Sequence, residues 1–189
     1  MCSLVHMRPF VVLGMLLLFA LAQRTAAQRH RDPCRLLTDA EVRAVQGHAP
    51  AQKIPSEQPA GSFRFTQCFY RTPELSSSVS VAVGIPLTDS KRSGPRDYWQ
   101  AQFKREERDE REESDEKKHE PRRLVRLGDE AFWVGDPFTG ALYVLRGEIF
   151  LRVSVGGSPD QAQKIKRART LALYALKRLD TGGSAARSR

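Results

Sequence analysis

From Ser78 to Ile85 the chain alternates strictly. Val79, Val81, Val83 and Ile85 take every second position, with Ser80, Ala82 and Gly84 between them. A period of two is the period of a β-strand, whose successive side chains point to opposite faces. One face of this strand is built for a core and the other is small or polar, the pattern of an antiparallel sheet. Ser62 to Thr72 has the same period. Phe63, Phe65, Gln67 and Phe69 share one face, and Arg64, Thr66, Cys68 and Tyr70 share the other. Ala141–Leu145 and Glu148–Val155 read as a hairpin around Arg146-Gly147, with Ile149, Leu151, Val153 and Val155 on one face. Leu124–Val134 reads as a bend running into a strand. Ala49–Gly61 holds three prolines and no period, so it reads as a loop or an irregular edge.

Helical periods separate these strands. Thr38 with Glu41 three residues on is a capping box, and Leu37 before the cap suits a hydrophobic staple with Val42. Gly47 is the stop. Residues 95–120 read as one helix, with Tyr98, Trp99 and Phe103 as an apolar patch at its start. Glu107/Arg111, Arg108/Glu112 and Glu113/Lys117 then pair at i,i+4, as on a solvated helix. In the last helix Ser158 is the expected cap and Pro159 the first helical residue. Ile165, Ala168, Ala172, Ala175 or Leu176, and Leu179 form its apolar stripe. Gly182-Gly183 should end it, leaving residues 182–189 as a disordered tail. Strands that neighbour one another, with few β-α-β units, predict a single α+β domain over residues 28–181: an antiparallel β-sheet packed by helices.

The amino terminus predicts export. Arg8 precedes a 13-residue apolar run, Phe10–Ala22, and Thr25-Ala26-Ala27 offers small residues at a cleavage site before Gln28. Residues 1–27 therefore read as a signal peptide, or as an anchor where cleavage fails. No cysteine follows the run closely enough to carry a lipid. An exported chain would be periplasmic or secreted. Of three cysteines, Cys34 and Cys68 remain after cleavage, and in an oxidising compartment their default reading is a disulfide. The competing reading is a metal site of His30, Cys34, His48 and Cys68, but no two of these share the spacing of a single turn.

The net charge of +9 hints at nucleic acid until it is divided. Without the signal it is +7, split as +3 over residues 28–95, −3 over 96–120 and +7 over 121–189. Export makes nucleic acid an improbable partner and leaves an anionic surface as the candidate for the basic last helix, through residues such as Lys166 and Arg169. Catalysis needs a nucleophile with a base, paired carboxylates or a metal. His30, His48 and His119 sit in no motif, and the Ser158 context lacks the Gly-x-Ser-x-Gly pattern. Asp129, Glu130 and Asp136 flank Phe132-Trp133, where carboxylates near a bend could meet a hard cation, though no loop motif is matched. Asp129, Glu130, Trp133, Lys166 and Arg169 are thus the candidate binding residues, with no cofactor or metal expected.

Asp32-Pro33-Cys34-Arg35-Leu36-Leu37-Thr38-Asp39-Ala40-Glu41-Val42, Cys68-Phe69-Tyr70 and Leu127-Gly128-Asp129-Glu130-Ala131-Phe132 together resemble the DUF3558-type exported bacterial proteins. That family is similar to the Mog1/PsbP-like fold, an antiparallel sheet sandwiched by helices. The resemblance covers about residues 32–180 and implies a pairing of Cys34 with Cys68. It implies no catalytic residues. Many such proteins are lipoproteins, whereas this chain lacks the anchor cysteine. The leading expectation is an exported, non-enzymatic module binding an envelope protein or small ligand. The alternatives are a periplasmic hydrolase or metal-dependent enzyme using Asp129, Glu130 or His48, and a basic surface-anion or adhesion protein.

Overall fold

The computed structural model describes residues 32–60, 63–86, 95–103, 121–135, 140–147 and 149–187. Asp32 accepts a hydrogen bond from the Cys34 amide at 2.9 Å and opens a 3₁₀ turn, Pro33–Arg35. Pro33 is buried. Its carbonyl accepts a hydrogen bond from the Tyr70 hydroxyl, which in turn accepts one from the Leu37 amide at 3.2 Å. Cys34 and Cys68 form a disulfide with Cα atoms 5.0 Å apart. Helix α1, Asp39–Gln46, follows with the expected capping box intact, and Gly47 closes it in the left-handed conformation.

Seven strands form one sheet. They are β1 (Gln52–Ala60), β2 (Phe63–Arg71), β3 (Val79–Pro86), β4 (Arg122–Arg123), β5 (Glu130–Gly135), β6 (Gly140–Arg146) and β7 (Ile149–Val155). Their order is β1-β2-β3-β7-β6-β5-β4, and every neighbour is antiparallel. Two meanders, β1-β2-β3 and β4-β5-β6-β7, are thus joined along β3 and β7, with Val81 opposite Val153 and Val83 opposite Leu151. Helix α2, Pro95–Phe103, lies in the connection between them, and helix α3, Gln161–Arg187, closes the chain. The α+β class and the antiparallel sheet are as expected.

Three local readings change. Residues 52–60, read as a loop or an irregular edge, are a regular nine-residue edge strand; Pro55 and Pro59 are tolerated because β1 has one neighbour. The last helix starts after Asp160, which caps it by accepting the Ala162 amide at 2.8 Å, while Ser158 supports the preceding turn. The same helix continues through Gly182-Gly183 to Arg187. Of the long helix expected over 95–120, Pro95–Phe103 is seen, and its charged part lies outside the described residues.

The alternating strand faces have two destinations. Cys68, Tyr70, Val79, Val81, Val83, Leu142, Val144, Leu151 and Val153 join the core beneath α1 and α3. The small face of β3 is not a solvent face. Ala82 and Gly84 are buried, and Trp99 and Phe103 of α2 pack on that side with Leu145 and Phe150. Phe103 stacks on Phe132 at 5.0 Å, and Trp99 meets Phe150 edge-on at 5.5 Å. A Cβ on Gly84 would stand 2.8 Å from the Phe65 ring and 3.2 Å from the Phe150 Cβ. The small side chains of β3 therefore make room for aromatic rings of its neighbours.

Helix α3 grips the amino-terminal segment through Arg178, which donates to the Leu36 carbonyl and to Glu41 Oε1, each at 2.9 Å. Burial alone would raise the Glu41 carboxyl, but hydrogen bonds from Arg178 and Thr38 and the Arg178 charge hold it below its ordinary value. A carboxyl depressed by folding stabilises the fold above its unfolded pKa, about 4.5, and that contribution disappears as pH falls through the folded value. Glu41→Gln is expected to remove this part of the stability loss on acidification, measured as urea midpoints compared at neutral and acid pH. Replacing both Cys34 and Cys68 by Ser opens a loop with a sequence separation of 34. The expected cost is about 3–4 kcal/mol in denaturant unfolding.

Candidate functional site

The bend before β5 is built by Leu127-Gly128-Asp129. Gly128 has φ +63°, and a Cβ there would lie 2.5 Å from the Leu145 carbonyl oxygen, so only glycine fits. The bend delivers two of the candidate carboxylates, and both are engaged. Asp129 Oδ2 accepts the Gly147 amide at 2.8 Å and Arg96 Nη2 at 3.3 Å, joining the β6–β7 turn to α2. Glu130 Oε2 accepts the indole N–H of Trp99 at 2.9 Å. Glu130 and Phe132 alternate onto the α2 side of the sheet, whereas Trp133 points the other way. Trp133 is 1% exposed in the α1–α3 core, which removes it from the binding candidates. Its ring needs Gly140, where a Cβ would stand 2.3 Å away, and its indole N–H has no hydrogen-bond partner.

His48 does not meet these carboxylates. It follows Gly47 and is exposed, and the neighbouring Gln46 side chain donates to the Ser77 carbonyl at 2.9 Å. Ser77 and Gly156 mark one end of the central strands, and Asp129 with Gly147 marks the other. The seven residues of β7 separate them by about 20 Å. Cys34 and Cys68 are bonded to each other. Among the described residues no group of three or more His, Cys, Asp or Glu could hold a metal.

The cations of α3 fall into two sets. Arg167 donates to Gln46 and to the Gly157 carbonyl, and Arg178 holds Leu36 and Glu41, so these two fasten the flank against α1. Lys164 is buried. Lys166, Arg169 and Lys177 lie elsewhere on the helix, towards solvent or half-buried. Arg169 Nη2 donates to the Arg126 carbonyl at 3.2 Å, which brings the 122–126 segment alongside α3. This segment is the part of the surface the sequence reading missed. Arg122 pairs with Trp133 in the β4–β5 register and therefore shares its face, the α3 side. Arg126 has φ +57°, a left-handed conformation that costs a non-glycine residue about 1 kcal/mol. The turn leaves Val125 69% exposed. The run Arg122-Arg123-Leu124-Val125-Arg126 carries the signal for this edge, three arginines in five residues.

Ion pairs take up the acidic neighbours. Asp180 pairs with Arg146 at 2.9 Å, and Asp129 with Arg96. None of Arg122, Arg126, Lys166, Arg169 and Lys177 is ion-paired among the described residues. Among those residues, too, no helix is long and apolar enough to cross a membrane. No family model matches the chain, and neither a curated protein nor a solved structure does.

The roles of Glu130 and Trp99 are testable as a pair. Glu130→Ala strands a buried indole N–H and is expected to cost about 1–3 kcal/mol. Trp99→Phe in the same background should cancel part of that loss. A double-mutant cycle in urea should return a coupling of about 1 kcal/mol or more.

Proposed function

We propose that this chain is an exported, non-enzymatic binding module of the bacterial cell envelope. The observation that carries the reading is the use made of the candidate catalytic groups. Asp129 and Glu130 are spent on fastening α2 to the sheet, and His48 lies at the far end of the strands. A hydrolytic reading would require them to converge on a substrate. The Cys34–Cys68 disulfide and the signal-like pattern of residues 1–27 support an oxidising destination. The resemblance to DUF3558-type exported proteins supports the same destination.

The test is fractionation of cells expressing the full chain, with thiol labelling and amino-terminal sequencing of the product. The expected product lies outside the cytoplasm, begins at Gln28 and has no reactive thiol at Cys34 or Cys68. A cytoplasmic product with both thiols free would overturn the reading. Asp129→Asn and His48→Ala are expected to leave binding of the native envelope partner unchanged.

A further inference from the structure

We propose that the edge formed by β4, the Val125–Arg126 turn and the adjoining flank of α3 docks on the surface of an anionic phospholipid bilayer. The proposal rests on the binding-module reading and names the partner of one surface. Its cations are Arg122, Arg126, Lys166, Arg169 and Lys177, none of them ion-paired among the described residues. Contact with a negative surface would neutralise them, and the attraction would fall as salt screens it.

Charge alone would suit any acidic polymer. The apolar residues favour a bilayer. Val125 is 69% exposed and Leu173 is 49% exposed, two of the four most exposed large apolar side chains among the described residues. Val125 adjoins Arg126 in sequence, and Leu173 follows Arg169 by one helical turn, so both sit among the same cations. Cations around exposed apolar side chains are what an interfacial site needs: the charges meet the headgroups and the apolar tips enter below them. The left-handed turn at Arg126 holds Val125 outward, and the Arg169 side chain braces it from α3. A soluble polyanion would leave the apolar tips in water.

The experiment is co-sedimentation of the disulfide-bonded mature chain, residues 28–189, with vesicles of phosphatidylglycerol mixed with phosphatidylcholine. The expected result is binding to the mixed vesicles at low salt, loss at high salt, and little binding to phosphatidylcholine alone. Arg122→Gln with Arg126→Gln should lower partitioning about 25-fold, at roughly fivefold per charge. Val125→Ser should lower it several-fold without changing the salt dependence. Arg43→Gln, which removes an exposed charge on α1, should leave it within twofold. Circular dichroism and thermal melting of each variant should match the parent. Equal binding to neutral vesicles, or parent-like binding by the double arginine variant, would overturn the proposal. So would an unchanged Val125→Ser variant together with full competition by soluble polyglutamate, which would assign the surface to an acidic polymer. Failure here leaves the exported-module reading standing, because compartment and thiol state decide that reading separately.

Discussion

The pairing of β3 with β7 is the constraint on which the rest of the molecule depends. It is the seam between two meanders, and both sides of it are covered. On one side valines and leucines meet α1 and α3. On the other, Phe150 of β7 carries the aromatic layer that receives α2. Ala82 and Gly84 are small because Phe65 and Phe150 occupy the space beside them. A larger side chain there would push the rings outward and take α2 with them. The helix that covers this face is thus placed by what β3 omits.

The amino-terminal segment is secured by a second, independent set of contacts. The disulfide ties the 3₁₀ turn to β2, and the Tyr70 hydroxyl lies between the Pro33 carbonyl and the Leu37 amide. Burial pushes the Tyr70 phenol well above its ordinary pKa, so it keeps its proton, and its donor role, wherever the fold persists. Arg178 adds a third hold from the opposite end of the chain. Covalent, neutral and charged contacts converge on about a dozen residues, so the segment has no single point of failure.

Period and capping made most of the fold legible. The faces of β2, β3 and β7, the Thr38–Glu41 box, Gly47 and the cysteine pair follow from local chemistry, and the structure shows them. Strand β1 was hidden because its prolines mask any alternation, although its partner β2 is the next strand in sequence. Strand β4 was hidden because two residues carry no period. The cover on the small face of β3 depends on α2, far along the chain, and no local pattern reports it. The candidate site was legible only as residue types. Asp129 and Glu130 stood out as carboxylates near a bend, but their partners Arg96 and Trp99 lie more than thirty residues away in sequence. Trp133 looked available because alternation does not say which face has the deeper cover. The basic surface was sought on α3 alone, while its strained turn comes from the 122–126 segment.

The two ends of the sheet bear on how the protein behaves in a crowd. A sheet edge is a template for another chain, since its unpaired amides and carbonyls can recruit a further strand. Here one edge is β1, where Pro55 and Pro59 remove two of the amides such a recruit would need. The other is β4, two residues long and both of them arginine. Like charges would face each other if two copies met edge to edge there. Both edges of the described sheet are thus poor templates, which disfavours strand-by-strand growth where copies gather at high density.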